Sequence, residues 1–548
     1  MATAIDLQLP WVVVGGKNIT YYLAIGAVLL LAWLVKQRTS QFTVEAPFYK
    51  ASRLKWTFSA ETLVLDSYKK FRDRVYQIKA TEGVQVLIPA NLVGELKGLP
   101  EDVLSATEAV SEVHQAALST IIRDTNISQA LQSRYTKFSP GRNGEMLATL
   151  VRKRLSQNLA RLVPQLKDEL EYITATEFPE CKGRKQSPQP THTGYGSCRL
   201  TEKLPDWTPF KFQPFSLRAV ARMSGRAFVG PSINRQEQWM DTSINFAVHV
   251  FVAVVKLQLF PEWLRPLGQY FVSEIRAISR DLATARKLLE PVIRERLRDL
   301  DMPGYEKPPD DLIQWLIEAL PEADKTDIAA QTQLQLILSA ASIHTTNNLL
   351  TDCMYDLAAR PEVQDMLREE AYQVLEVEQG WARKDSMAKL KKMDSFMKEV
   401  QRLSGNITSF IRKVIQPIDL SDGTHLPAGT KLLAPQAGFS RDPRFFPDPE
   451  TFDALRFYKL RQQSDEDANR WQFTSINDTN MNFGAGRHAC PGRFFAGNEV
   501  KMALAYFLLN YDIKLKEGET RPKPMMVVMS KAPDPNVELL FRRRSVEG

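Results

Sequence analysis

The chain has 548 residues, 44% of them apolar and 25% charged, with a net charge of +7. These are globular values that allow a sizeable core, and four scattered cysteines (Cys181, Cys198, Cys353, Cys490) argue against a disulfide framework and for a reducing compartment. No dense Lys/Arg tract points to nucleic acid; the mild positive charge suits an acidic protein partner or an anionic membrane surface.

In chain order, a short segment 1–18 precedes Ile19–Val35, an uncharged apolar run closed by Lys36 and Arg38. As a helix it reaches roughly 25 Å, the short end of a bilayer span. Tyr21, Tyr22 and Trp33 lie near its ends, as interfacial aromatics do, and the downstream positive charge predicts that the large C-terminal part stays in the cytosol. The rival readings are a cleaved signal peptide and a buried helix. The run is long for a signal peptide, and no small-x-small cleavage site follows it. Residues 36–56 read as a linker and 57–548 as the folded domain. Within that domain Met146–Ile173 repeats apolar residues at helical spacing, with a kink predicted at Pro164. Residues 183–203 are polar, rich in Pro, Gly, Ser and Thr and aperiodic; they read as a surface insertion, either genuine or a retained intron in the gene model. Helices are predicted over Asp327–Ala359, Glu362–Glu378 and Leu390–Leu403. Strand signals occur at Val84–Ile88 and Ser409–Ile415, and again after the turns at Ser421–Gly423 and Pro427–Gly429. The expected class is mainly α with a minor β part.

The most informative stretch is Phe483-Gly-Ala-Gly486-Arg-His488-Ala-Cys490-Pro-Gly492, followed by a helix-compatible run. A sulfur at a helix N-terminus meets backbone N–H groups and the positive end of the dipole, which favours a thiolate. The glycines allow close approach of a flat ligand, and Phe483 is placed to shield the sulfur. Taken alone, a buried structural cysteine in a glycine turn is the better reading; the surrounding pattern reverses it. A structural zinc would need four ligands at recognisable spacing.

The spacing Phe483-x-x-Gly486-x-His488-x-Cys490-x-Gly492 resembles the haem-binding signature of the cytochrome P450 family. The resemblance implies that Cys490 is the axial ligand of haem iron. The position usually held by a propionate-binding arginine is His488, which can still donate a hydrogen bond. Glu399-x-x-Arg402 resembles the family's Glu-x-x-Arg element, and Arg456 matches its third partner; together they imply a buried structural network. Ala341-Ser-Ile-His344-Thr345-Thr346 resembles the oxygen-activation motif, with Thr345 matching its threonine. His344 replaces the usual acid, so it is either a proton relay or a spectator. Arg412 is a candidate for one haem propionate, with a solvent-facing strand arginine as the alternative. Arg152, or Arg154, is a candidate for the other. Candidate pocket walls are Ala340–Thr345, Gly405–Phe410, Ser119–Ala130 and parts of Trp239–Phe251, which imply a hydrophobic substrate held by shape.

Residues Phe215–Arg226, Ala341–Thr346 and His488–Ala496 are similar to filamentous-fungal members, the group with ent-kaurene oxidase and gibberellin-pathway oxidases. The resemblance implies a P450 fold behind one transmembrane helix, single-pass in the endoplasmic reticulum membrane. It further implies a haem-thiolate monooxygenase that takes O2 as co-substrate and electrons from an NADPH-cytochrome reductase. The implied substrate is an apolar secondary metabolite such as a terpenoid or meroterpenoid. A reductase-independent isomerase or peroxygenase, and a non-catalytic haem-binding protein, are the open alternatives.

Overall fold

The computed structural model describes residues 44–51, 53–80, 83–111, 133–138, 143–181, 207–258, 264–300, 309–527 and 530–544, with 260 and 302. The apolar run Ile19–Val35, the linker before residue 44, the candidate wall Ser119–Ala130 and the insertion 183–203 lie outside the described residues.

The main helices are α1 (Arg53–Phe71), α2 (Leu159–Glu177), α3 (Phe212–Asn234), α4 (Glu237–Gln258), α5 (Ser273–Asp299), α6 (Ile328–Ala358), α7 (Pro361–Ala371), α8 (Lys391–Ser404) and α9 (Arg493–Asn510). The strands that matter for the site are β1 (Phe48–Tyr49), β2 (Tyr76–Ala80), β3 (Gly83–Leu87), β4 (Leu104–Ser105), β5 (Thr208–Lys211), β6 (Ser409–Val414), β7 (Lys431–Ala434), β8 (Tyr511–Lys514) and β9 (Glu538–Arg543). One mixed sheet runs β1–β2–β3–β7–β6–β4, and an antiparallel sheet runs β8–β9–β5. Short hairpins pair Ile418–Asp419 with His425–Leu426 and Met525–Val527 with Ser530–Ala532. The chain is thus mainly helical with a minor sheet component.

The long helix α6 begins where Asp327 caps it, its carboxylate accepting from the Ala330 N–H at 2.9 Å. It is buried on most of its circumference, as a central helix must be. The helical run predicted from Met146 breaks earlier than expected. An α-turn over Gly144–Leu150 passes into a π-turn at Val151–Leu155, and α2 restarts after Asn158. Pro164 therefore lies in the second turn of a fresh helix. The break is set by Asn158, whose carbonyl takes the N–H groups of Arg161 and Leu162.

Two devices seat α9. The first is an aromatic cluster: Phe178 of the α2 exit, Phe210, Phe212, Phe215, Phe507, Tyr511 and Phe541, with Phe212 and Phe507 edge-on at 5.2 Å. Each such ring pair adds about 0.5–1.5 kcal/mol beyond simple burial. The second is the charged face of α8. Lys398 donates to the carbonyls of Gln472 (2.6 Å) and Ser475 (3.1 Å), and Asp394 accepts from the Phe473 N–H at 2.7 Å. This holds Phe473 and Thr474 against Gly497 of α9, where even a Cβ would stand 3.2 Å from the Phe473 ring. Complete burial pushes the Lys398 ammonium down to about 7.

One described helix, Glu237–Leu257, is long and apolar enough to cross a membrane, with mean hydropathy 1.4. Its buried residues, among them Phe246, Ala247 and Val250, pack into the main core.

Candidate active site

The loop before α9 is built on left-handed glycines. Gly484 has φ +77° and Gly486 φ +59°; a Cβ on Gly486 would stand 2.4 Å from the Lys97 carbonyl oxygen. Within this turn the Cys490 N–H donates to the Phe483 carbonyl at 2.7 Å, and Arg493 donates to the Cys490 carbonyl at 2.8 Å. Burial pushes the Cys490 thiol up, while the backbone N–H groups of Gly492 and Arg493 oppose that shift. The Phe483 ring meets Phe473 edge-on at 5.3 Å, so the α8-held segment reaches the cysteine loop through this contact.

On the sheet side, a bulge between Ser409 and Arg412 re-aims β6, and Phe410 adopts φ +52° there. Arg412 folds over the Phe410 ring at 4.5 Å and is buried, donating to the carbonyls of Ile411 (2.8 Å) and Ala485 (3.3 Å). Burial pushes its guanidinium down to about 10, against the attraction of Glu101. His488 Nε2 pairs with the same Glu101. Burial lowers the His488 pKa, and Arg412 adds to the effect. Arg412, His488 and Glu101 therefore form one cluster. Glu101 also accepts from Ser105 Oγ at 2.6 Å.

Arg152 lies exposed in the π-turn whose Val151 packs 3.7 Å from a Cβ placed on Gly492. Burial lowers the Arg493 pKa, and Arg152 lowers it further. Arg154 points elsewhere and pairs with Glu318 at 3.1 Å on the surface. Thus Arg152, not Arg154, accompanies the cysteine loop.

Glu399, Arg402 and Arg456 come together in the interior at 0%, 5% and 8% exposure. Arg402 grips Glu399 with two bonds of 2.8 Å, and Arg456 Nε lies 3.2 Å from both carboxylate oxygens. The Asp453 N–H adds a bond at 3.0 Å. The remaining guanidinium donors go to carbonyls of Ser440, Pro447, Asp448, Pro449 and Thr451.

On α6, Ala341 and Thr345 are exposed one turn apart, so among the described residues this face is not packed against a neighbouring helix. The Thr345 hydroxyl donates to the Ala341 carbonyl at 2.8 Å. His344 turns to α4, where its Nε2 lies 3.0 Å from the Ile244 carbonyl. Trp239, in a candidate wall, instead packs in the core near Gly225. A cleft of about 750 Å³ lies under the cysteine loop, lined by Lys97, Arg470, Asp478, Gly486, Ala489 and Arg493 among others.

These residues fit a haem. The sulfur is soft and flanked by N–H groups, and the left-handed Gly484 and Gly486 carry no side chain into the turn. Arg412 offers a buried cation whose own hydrogen bonds go to carbonyls, and Arg493 Nε is buried with no partner among the described residues; both are free to receive a propionate. Sequence reasoning missed Glu101, Ser224 and Glu499. The available signal for Glu499 was a lone carboxylate inside the apolar run Phe494–Leu509.

Comparison with known proteins agrees with this geometry. The family model for cytochrome P450 matches residues 201–540. Cytochrome P450 monooxygenase braC of Annulohypoxylon truncatum is 33% identical over 94% of this chain and 95% of its own. Cytochrome P450 monooxygenase olcJ of Penicillium canescens is 32% identical over 94% of this chain and 86% of its own. The ent-kaurene oxidase of Gibberella intermedia is 30% identical over 96% of this chain and 93% of its own. Proteins of this kind are oxidoreductases that use haem with a cysteine thiolate ligand and O2, and they draw electrons from a redox partner. The chain belongs to the cytochrome P450 family and is a monooxygenase of the fungal secondary-metabolism type.

Proposed function

We propose that Cys490 is the thiolate ligand and that the enzyme hydroxylates or further oxidises an apolar secondary metabolite, a terpenoid or meroterpenoid. The observation that carries this reading is the Cys490 sulfur at the start of α9 with the Gly492 and Arg493 N–H groups directed at it. Arg412, Arg152 and His488 would hold the haem carboxylates. Glu399, Arg402 and Arg456 keep the fold under the loop rigid. Bound there, haem supplies reduction of O2, placing one oxygen atom in a C–H bond while the other leaves as water. Thr345 orders water at the open face of α6. The terpenoid reading draws support from relatives named ent-kaurene oxidase and from the small, apolar residues of the Ala340–Thr345 face.

Residues 19–35 serve as a single-pass anchor in the endoplasmic reticulum membrane, 36–56 as linker and 57–548 as the catalytic domain, with 183–203 inserted at the surface. Phe251, Tyr270 and Phe271 are exposed at 64%, 70% and 81%, and exposed large apolar side chains of this kind suit contact with a membrane. An NADPH-cytochrome reductase supplies electrons, and the mild net positive charge of the chain suits an acidic docking partner.

Cys490→Ala tests the reading directly. The purified variant should lose the red-shifted Soret band of the reduced carbon monoxide complex. A surviving band removes Cys490 as ligand. Turnover of an apolar metabolite that runs without NADPH and reductase removes the reductase-dependent assignment.

A further inference from the structure

Helix α6 ends on charges that its own dipole opposes. Asp352 and Asp356 stand one turn apart in its last two turns, at the negative end of the helix, and both are buried. Burial pushes the Asp352 carboxyl up to about 6, against the pull of Arg521. Two buried acids placed against local preference need cations fixed beside them. Arg360 takes Asp356 Oδ1 at 2.6 Å. Arg521, just before the hairpin of Met525–Val527 and Ser530–Ala532, serves both: its Nη2 lies 2.7 Å from Asp352 Oδ1 and 3.2 Å from Asp356 Oδ2.

The same Arg521 nitrogen donates to Ser404 Oγ, on the last residue of α8, at 2.9 Å. The neighbouring Leu403 carbonyl is one of those that a helix C-terminus leaves without a partner in its own helix. Lys531, on the far strand of the hairpin, donates to it at 2.9 Å and pairs with Glu61 of α1 at 2.9 Å. From Ser404 the chain enters Gly405–Phe410, one of the two pocket walls that flank the ends of this cluster. There the Asn406 N–H donates at 2.9 Å to Oδ1 of Asn482, the residue before Phe483 of the cysteine loop. A Cβ on Gly405 would stand 2.5 Å from that oxygen, so the exit from α8 is packed against the approach to the loop. The other wall, Ala340–Thr345, lies on α6, and Thr345 precedes Asp352 by seven residues, roughly 10 Å along the axis. One guanidinium thus joins the helix that carries one wall to the residue from which the other begins.

We propose that Arg521, together with Lys531, sets the spacing between the walls Ala340–Thr345 and Gly405–Phe410 and so determines which apolar substrates fit between them. The proposal rests on the reading of Cys490 as haem ligand, which makes the space between these walls the substrate site. The choice of arginine has a physical reason. Its planar fork holds two carboxylates and a hydroxyl in one fixed geometry, whereas a lysine is a point charge on a flexible stem. Lys531 adds a second tie on the adjoining carbonyl and extends it to α1. Both act through the backbone at 403–405 and are positioning residues, not groups that meet the substrate.

The test uses the full-length, haem-loaded protein and two probes, imidazole and N-octylimidazole, each titrated by the red shift of the Soret band. Imidazole reads access to the iron alone; the ratio of the two dissociation constants reads the room between the walls. Ser404→Ala cuts the Arg521 link to α8 and leaves both acid pairs in place. It should keep the imidazole affinity of the wild type and move the ratio on the order of tenfold, the value of one methylene of fit in an apolar pocket. Ser404→Thr, which restores the hydroxyl, should return the ratio. Arg521→Lys, which keeps the charge and loses the fork, should move it as Ser404→Ala does. A ratio unmoved in Ser404→Ala overturns the proposal, and so does an equal loss of both affinities, the mark of a purely structural role. If Arg521→Lys does not load haem, the Ser404 pair still decides. A wild type whose Soret band does not respond to imidazole refutes the haem reading instead.

Discussion

Replacing Glu399 by Gln is the sharpest probe of how this fold supports its site. Among the described residues Glu399 is the one carboxylate within ion-pair distance of the guanidinium groups of both Arg402 and Arg456, and all three side chains are buried. Neutralising it removes two bonds of 2.8 Å from Arg402 and the paired contacts of 3.2 Å from Arg456. The carbonyls of Ser440, Pro449 and Thr451 remain, but dipoles do not neutralise two buried cations. Breaking a buried pair from one side costs about 3–5 kcal/mol, and the surviving carbonyl bonds place this case near the lower end. A loss of about 3 kcal/mol is a population shift of roughly a hundredfold, a large share of the 5–15 kcal/mol that holds a typical domain. Urea titration of the haem-loaded protein, followed by tryptophan fluorescence and by the Soret band, should show a lower midpoint at unchanged slope. The two probes should move together, because α8, which carries Glu399 and Arg402, also holds Phe473, whose ring meets Phe483 of the cysteine loop. Glu290→Gln, which breaks an exposed pair with Arg294 on α5, serves as control and should leave the midpoint in place. A Glu399→Gln midpoint equal to that of the control would refute the claim that the network is uncompensated without its anion.

Gly486→Ala forces a left-handed φ on a residue with a Cβ, costing about 1–2 kcal/mol before its clash with the Lys97 carbonyl is counted; haem per polypeptide and the melting midpoint should both fall. Arg412→Gln should speed haem loss to apomyoglobin, since a buried cation beside Ala485 is removed, whereas the surface variant Arg154→Gln should not. Glu499 gives a pH signature: its folded pKa, about 8, lies above its ordinary value of 4.5, so its contribution to stability is complete in acid and is lost as pH rises to about 8. Glu499→Gln should remove that component of the stability–pH curve, leaving a flatter profile across this window. Thr345→Ala removes the hydroxyl at the open face of α6 and should raise the peroxide released per NADPH consumed, measured against product formed.

Much of the fold was legible because its signals are local. The helix over 327–359 stands out as a long run without a Gly or Pro breaker, and the strand at 409–414 by its β-branched and aromatic run before the turns. The break at Asn158 was not legible, because Pro164 is the louder breaker in sequence, whereas the helix restarts at Asn158 and runs through Pro164. The partner of His488 was also hidden. Glu101 lies almost four hundred residues away, and only folding brings the two together with Arg412.

The sequence by itself determined the chemistry on offer: one thiol in a glycine turn, a threonine among small residues on a long helix, and a Glu-x-x-Arg pair with a distant arginine. Spacing along a chain encodes such local geometry, since a turn or a helical face is built from neighbouring residues. Only the tertiary structure decided how those groups are served. It set His344 on a backbone carbonyl, placed Glu101 between His488 and Arg412, and buried Glu499 behind two serines from other helices. These outcomes depend on which groups share a low-dielectric interior, and burial between remote elements has no signature in the spacing of residues along one of them.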